Sequence, residues 1–214
     1  MSTEETLEKI ASEVRVCTLC GLHKGRNKAV PGEGPANAEI MLIGEGPGFN
    51  EDQQGRPFVG AAGNFLNELL AQAGLKREDV WITNVVKCRP PSNRDPMPDE
   101  VGTCTQTYLD RQIAAIDPKI IITLGRFSMG KYMPGVKITQ VHGQMKRVGD
   151  RFVIAMFHPA AALHQAALKP AILADFAKVP QLLEVARAEL KKSAPAETPE
   201  QQKPEDDAKQ LSLF

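Results

Sequence analysis

The sequence predicts an α/β fold, a mainly parallel sheet sandwiched between helices, and three observations predict it. Short apolar runs suited to buried strands alternate with longer stretches at helical spacing, the pattern of strand–helix–strand crossovers. Three of these runs give way to polar or glycine positions, at Gly44-Glu45, Asn84 and His158, and the carboxyl ends of strands are where open α/β sheets hold ligands. At 214 residues the chain is long enough for one such domain with a proper core, and some extra.

In chain order, residues 4–16 make a short helix that ends near Cys17-Thr18-Leu19-Cys20. Residues 22–38 read as loop, with Gly25, Pro31, Gly32, Gly34 and Pro35. The first strand is 38–43. It breaks at Gly44-Glu45-Gly46-Pro47-Gly48, and Gly60-Ala61-Ala62-Gly63 leads into a helix over 64–73 with Phe65, Leu66, Leu69 and Leu70 at helical spacing and Gly74 as its stop. A second strand over 80–86 precedes a loop over 87–98, a helix over 99–116 and a third strand over 119–124. Residues 136–141 and 151–156 have the pattern of further strands. The helical pattern then runs over 159–190, with breaks expected near Pro170 and Pro180. These elements make one domain, residues 1–190. From Lys191 the composition turns to proline and charge without apolar periodicity, which predicts a disordered tail over 191–214.

Lys+Arg and Asp+Glu each total 26, so bulk charge does not predict a nucleic-acid binder and any basic surface must be local. There is no run of 18 apolar residues, and the amino terminus is polar and amphipathic; no membrane span or signal sequence is expected, and a cytoplasmic location is. The glycine-rich stretch alone is a weak signal. Pro47 falls inside it, and no acidic residue marks a second strand end at the distance a dinucleotide site requires.

Four cysteines in a cytosolic chain point to metal, cluster or redox chemistry before disulfides. Cys17 and Cys20 form a CxxC, whereas Cys88 and Cys104 are too widely spaced for the second knuckle of a zinc ribbon. An iron–sulfur cluster tolerates such spacing better. Spacing alone leaves cluster, zinc and unrelated buried thiols open. Either metal would pin the amino-terminal helix to the loop after Asn84.

Taken together, several motifs carry a resemblance. Gly44-Glu45-Gly46-Pro47-Gly48 is followed by Glu51-Asp52 and by Gly55-Arg56-Pro57-Phe58-Val59-Gly60. Then come Asn84-Val85-Val86-Lys87-Cys88-Arg89-Pro90-Pro91, the four cysteines, and Phe157-His158-Pro159-Ala160-Ala161. In this order, over roughly residues 5–188, they resemble a family 4 uracil-DNA glycosylase, the iron–sulfur branch of that superfamily. The resemblance implies a three-layer α/β/α sandwich around a mainly parallel four-stranded sheet. It also implies a [4Fe-4S] cluster of structural role held by Cys17, Cys20, Cys88 and Cys104.

The implied activity is hydrolysis of the N-glycosidic bond of uracil in single- and double-stranded DNA by a monomer, in base excision repair. Uracil inside a duplex is unreachable, so the nucleotide must be flipped into a pocket. Breaking the bond leaves a uracil anion and a cationic sugar, which call for donors at the uracil oxygens and a carboxylate near the sugar. By resemblance, Glu45 positions or deprotonates the attacking water and His158 donates to uracil O2. Gly44 and Gly46 let the base approach the backbone, Phe58 is the stacking platform, and Asn84 reads O4 and N3–H, the edge on which cytosine differs. Leu163 is the expected wedge into the vacated stack. Arg89, Arg94, Lys87 and Lys146 are candidate phosphate contacts.

A sister branch that forms a stable covalent adduct carries GEQPG and an Arg/His-rich insertion between its last two strands. Here the motif is GEGPG, and Lys146-Arg147-Val148-Gly149-Asp150 is short and lacks that histidine, so ordinary turnover is expected. No lysine is placed for a Schiff base, so no lyase step is. Competing readings are a glycosylase of broader deaminated-base scope, a non-catalytic iron–sulfur module that binds lesions, and an unrelated zinc protein. At the end of the polar tail, Gln210, Leu211, Leu213 and Phe214 resemble the bacterial sliding-clamp-binding peptide, whose apolar side chains fill a groove while the glutamine makes polar contacts. That ending also points to a bacterial source.

Overall fold

The computed structural model of the protein describes residues 1–193. Helix α1 (Thr3–Val16) begins at a reciprocal cap: the Glu5 amide donates to the Ser2 hydroxyl at 3.2 Å and the Ser2 amide donates to the Glu5 carboxylate at 2.7 Å. The first strand, β1 (Ile40–Gly44), is followed by two helices, α2 (Phe49–Gln54) and α3 (Ala61–Gln72). After β2 (Trp81–Asn84) comes one irregular helix, made of α4 (Pro98–Cys104), a π turn over Thr105–Leu109 and α5 (Asp110–Ile116). Strand β3 (Ile120–Leu124) precedes two short helices, α6 (Arg126–Gly130) and α7 (Ile138–Val141). The chain then forms β4 (Met145–Val148), β5 (Arg151–Met156), α8 (Pro159–His164), α9 (Lys169–Ala177) and α10 (Val179–Ser193).

The sheet order is β2-β1-β3-β5-β4, with every pair parallel except β4 against β5. Strands β1, β2 and β3 are buried along their whole length, which explains their near-continuous apolar sequences. Their alternate side chains feed two cores. Met41, Ile43, Trp81 and Ile121 pack with Leu7, Ile10, Leu109 and Ile113 on one face; Ile40, Leu42, Ile82 and Ile122 pack with Leu66, Leu69, Phe176 and Leu183 on the other. The result is the expected three-layer sandwich.

Two expectations are corrected, and the breaks expected near Pro170 and Pro180 are present. The sheet has five strands rather than four. Residues 136–141, despite their alternating pattern, form no strand; α7 lies there. The fifth strand is β4, closed onto β5 by the two-residue turn Gly149-Asp150, in which Gly149 adopts φ 62°. That hairpin fixes the edge of the sheet, and its half-exposed, charged sequence concealed it. Pro170 and Pro180 sit at the second positions of α9 and α10, so they start helices and the breaks fall just before them. No helix among the described residues is long and apolar enough to cross a membrane. The expected tail over 191–214 and its terminal Gln210, Leu211, Leu213 and Phe214 lie, from residue 194 onward, outside the described residues.

Candidate active site and cysteine site

A cavity of about 310 Å³ opens beyond the carboxyl ends of β1, β2 and β5. Its walls include Glu45 and Gly46 from the turn after β1, Asn84 from the end of β2, His158 from the segment after β5, and Phe58. Four segments far apart in sequence thus bring their expected site residues to one place.

Asn84 is 2 % exposed, and its Oδ1 has no hydrogen-bond partner among the described residues. A buried, unpaired carbonyl is costly, and here it belongs to the wall of a ligand-sized cavity. Asn84 lies directly opposite Gly44 in the sheet. A Cβ at Gly44 would stand 2.4 Å from Asn84 Oδ1 and 2.7 Å from Phe58 Cζ. Gly44 therefore lies beneath the cavity wall and lets the amide and the ring close over the strand end.

Phe58 is buried with φ 50°, a conformation that costs a non-glycine residue about 1–3 kcal/mol. It is held from two sides. A Cβ at Gly63 in α3 would lie 2.0 Å from the Phe58 carbonyl oxygen, so only glycine lets that helix approach. Arg77 donates to the Pro57 and Phe58 carbonyls at 2.6 and 3.3 Å, and Glu33 pairs with Arg77 at 2.8 Å. The Phe58 ring stacks on His158, with centroids 5.5 Å apart and planes 28° apart.

His158 accepts a hydrogen bond from the Ala160 amide at Nδ1, 3.1 Å. An accepting Nδ1 puts the ring proton on Nε2. Burial lowers the His158 pKa to about 4, so near neutral pH the ring is a neutral donor through Nε2. Glu45 has no hydrogen-bond partner for its carboxylate among the described residues. Burial raises its pKa above the ordinary value, Asp95 raises it further and Arg126 opposes them; Asp95 and Arg126 form an ion pair.

Glu51 is a site residue to which the sequence reading gave no role. Its carboxylate accepts from the Gly48 amide at 3.1 Å and from the Val59 and Gly60 amides at 2.8 and 2.9 Å. It thereby ties the turn after β1 to the segment carrying Phe58, and it lines the cavity. A glutamate three residues after Gly48, at a helix start, was the available signal.

The weaker candidates separate. Arg94 lines the cavity, but its guanidinium is engaged by Glu100 at 2.7 and 2.9 Å. Arg89 donates to Asn93 Oδ1 at 2.8 Å and lies over the Phe49 ring. Leu163 is 51 % exposed on α8, whose Ala160 lines the cavity. Lys146 lies on edge strand β4 and lines none of it. Lys87 is not a phosphate contact: it is 1 % exposed, and its Nζ donates to Thr83 Oγ1, Gln112 Oε1 and the Asn84 carbonyl at 2.6, 2.7 and 2.9 Å. Burial lowers its pKa to about 8, which still leaves it charged at neutral pH.

Cys17, Cys20, Cys88 and Cys104 line one small enclosed pocket with Val14, Leu22, Lys87 and Tyr108. Burial raises the thiol pKa of Cys20 and Cys88, and that of Cys104 to about 11, so thiolates there need nearby positive charge. The surroundings supply it. Arg26 donates to Cys88 Sγ at 3.3 Å, the Leu19 amide donates to Cys17 Sγ at 3.5 Å, and the Lys87 charge favours the Cys104 thiolate. Among the described residues no three His, Cys, Asp or Glu side chains are grouped closely enough for a single ion. Four thiols lining one pocket are a donor set that fits a thiolate-ligated group such as an iron–sulfur cluster.

Comparison with known proteins agrees with this geometry. Residues 31–181 match the model of the uracil DNA glycosylase superfamily. The chain is 46 % identical to a type-4 uracil-DNA glycosylase of Archaeoglobus fulgidus over 187 residues, covering 83 % of this chain and 94 % of that protein. It is 48 % identical to one of Sulfurisphaera tokodaii over 190 residues, 83 % and 85 % of the two chains. It is 44 % identical to one of Thermotoga maritima over 180 residues, 82 % and 93 %. With its cavity at the strand ends and its four cysteines gathered at one pocket, this chain belongs to the uracil-DNA glycosylase superfamily, in the type-4 branch.

Proposed function

We propose that the protein excises uracil from single- and double-stranded DNA as a monomer, hydrolysing the N-glycosidic bond and leaving an abasic site, and that the cavity just described holds the flipped base. The observation that carries the reading is the unpaired amide oxygen of Asn84 in the same cavity as Nε2–H of His158 and the Glu45 carboxylate. Uracil offers one N–H donor between two carbonyl acceptors. Asn84 Oδ1 accepts from N3–H and its amide nitrogen donates to O4; cytosine, with an acceptor at N3 and a donor at C4, meets the opposite groups. Phe58 carries the ring and the Gly46 backbone lies close against it.

As the bond from C1′ to N1 breaks, its electron pair passes into the uracil ring and charge gathers on O2. The neutral His158 donates to O2 there, a contribution that strengthens as charge develops. Glu45 faces the sugar, favours its cationic character and accepts a proton from the water that attacks C1′. The raised pKa of Glu45 suits that role.

The four cysteines are proposed to hold a [4Fe-4S] cluster, which supplies a cross-link between α1, the loop after β2 and α4. Leu163 is the proposed wedge, and Gln210, Leu211, Leu213 and Phe214 the proposed sliding-clamp anchor, working in the cytoplasm at the nucleoid. Deleting residues 210–214 removes clamp capture and leaves excision from short oligonucleotides intact; capture that survives the deletion refutes the anchor.

The deciding test is alkali-revealed cleavage of an end-labelled oligonucleotide with one deoxyuridine, beside a thymine control. Glu45→Ala, Asn84→Ala and His158→Ala are each expected to lower the rate about 10²–10³-fold, the scale for one transition-state contact. Uracil-dependent binding without cleavage by metal-loaded wild type replaces the enzyme reading with a lesion-binding module.

A further inference from the structure

We infer that Phe49 and Arg89 form a second nucleotide subsite at the rim of the cavity: the Phe49 ring stacks on the base next to the flipped uridine, and Arg89 holds a neighbouring phosphate. The inference rests on the reading of the cavity as a uracil site.

Phe49 is the residue after Gly48, which lines the cavity. It is nevertheless 57 % exposed, one of the few large apolar side chains left so. Its ring is oriented. The guanidinium carbon of Arg89 lies 5.2 Å from the ring centroid, within cation–π range. Arg89 is itself fixed through Nε, which donates to Asn93 Oδ1, and Asn93 and Pro90 both line the cavity. Phe49, Arg89 and Asn93 thus make a strip that runs without interruption from the rim to the cavity wall. The two terminal nitrogens of Arg89 have no partner among the described residues and are free for a phosphate.

The chemistry of this strip selects its occupant. Every nucleobase has a face that stacks on an aromatic ring, so such a platform tolerates any sequence. A cation beside it matches the backbone that accompanies each base. Leu163 is also exposed, on α8, whose Ala160 lines the cavity, but an aliphatic chain wedges rather than stacks. A base flanking uracil is free to leave its neighbours in a single strand and is held by stacking and pairing in a duplex. The subsite therefore favours single-stranded substrate.

The test uses the full chain and oligonucleotides carrying 2′-fluoro-deoxyuridine, whose electron-withdrawing fluorine opposes the cationic sugar and keeps the substrate whole. The fluorescent base 2-aminopurine is placed immediately 5′ or 3′ of it. Wild type and Phe49→Trp are expected to quench the probe at one flank. Phe49→Ala and Phe49→Leu are expected to lose that quench and to raise Kd for single strands about fivefold, the low end for one stacked base, with less than twofold change on duplex. Arg89→Met is expected to lower the slope of log K against log salt by about one. Quenching and Kd in Phe49→Ala equal to wild type overturn the subsite. A wild type that neither excises uracil nor binds the analogue overturns the reading of the cavity instead, and the subsite falls with it.

Discussion

The strand-end cavity and the cysteine pocket are lined by Asn84 and Cys88, four residues apart on one segment, and they follow opposite rules. The strand-end cavity keeps Asn84 Oδ1 buried and unpaired, and it leaves the Glu45 carboxylate and His158 Nε2 without a hydrogen bond among the described residues. The cysteine pocket surrounds its thiols with Arg26, Lys87 and backbone amides aimed at sulfur. Unpaired groups at a cavity mark a ligand that comes and goes. Groups already furnished with counter-charge mark one that stays. Lys87 lies between, touching the carbonyl of Asn84 on one side and lining the cysteine pocket on the other.

The contrast breaks most visibly at the cysteines. Replacing Cys88 and Cys104 together by alanine is expected to abolish metal incorporation and lower Tm by about 10 °C or more, because ligand binding there is folding free energy. Limited proteolysis should then cut first near residues 17–26. An unchanged melt and unchanged proteolysis would mean that the pocket ties nothing together.

Next in size is Lys87→Met, which leaves Thr83 Oγ1, Gln112 Oε1 and the Asn84 carbonyl without their shared donor. The expected loss is about 2–4 kcal/mol in denaturant unfolding, with a raised KM for uracil-DNA as Asn84 loosens. Stability within experimental error of wild type would remove Lys87 as the link between the pockets.

Arg77→Met removes the donors to the Pro57 and Phe58 carbonyls. Release of the φ 50° conformation is expected to cost about 1–2 kcal/mol of stability and about tenfold in kcat/KM. Full activity in this variant would show that Gly63 packing alone holds the ring.

The smallest effects concern pH. With Glu45 as base, activity falls as pH drops through its raised pKa. Asp95→Asn should move that acid limb down and Arg126→Met should move it up in a pH–rate series; shifts of the reverse sign would exclude Glu45 as the titrating group. His158 acts on stability. Its pKa falls from an ordinary 6.5 to about 4 on folding, so the unfolded chain binds the extra proton between those values. The stability it permits is complete above about pH 6.5 and is lost as pH falls toward 4.

Much of this was legible in the sequence, and the reasons differ by element. The isoleucine-rich runs of β1 and β3 can only be buried strands, and Glu45, Asn84 and His158 were visible as polar residues where such runs stop. Strand β4 was not, because Met145-Lys146-Arg147-Val148 pairs on one side only and reads as solvent-exposed loop. Lys87 sits in a string with Cys88 and Arg89 that looks like a basic surface loop. Nothing local reveals that Thr83, four residues earlier in β2, and Gln112, 25 residues later, enclose it. The role of Glu51 depends on amides at 48, 59 and 60 meeting one carboxylate, a fact of tertiary structure.

The clamped ring of Phe58 has a consequence for turnover. Gly63 and Arg77 set the platform during folding, before any DNA arrives. On the proposed assignment, a site assembled in advance offers nearly the same contacts to the released base as to the base still attached to its sugar. Free uracil should therefore occupy the emptied pocket and compete with the next lesion, making the enzyme sensitive to the concentration of its own product.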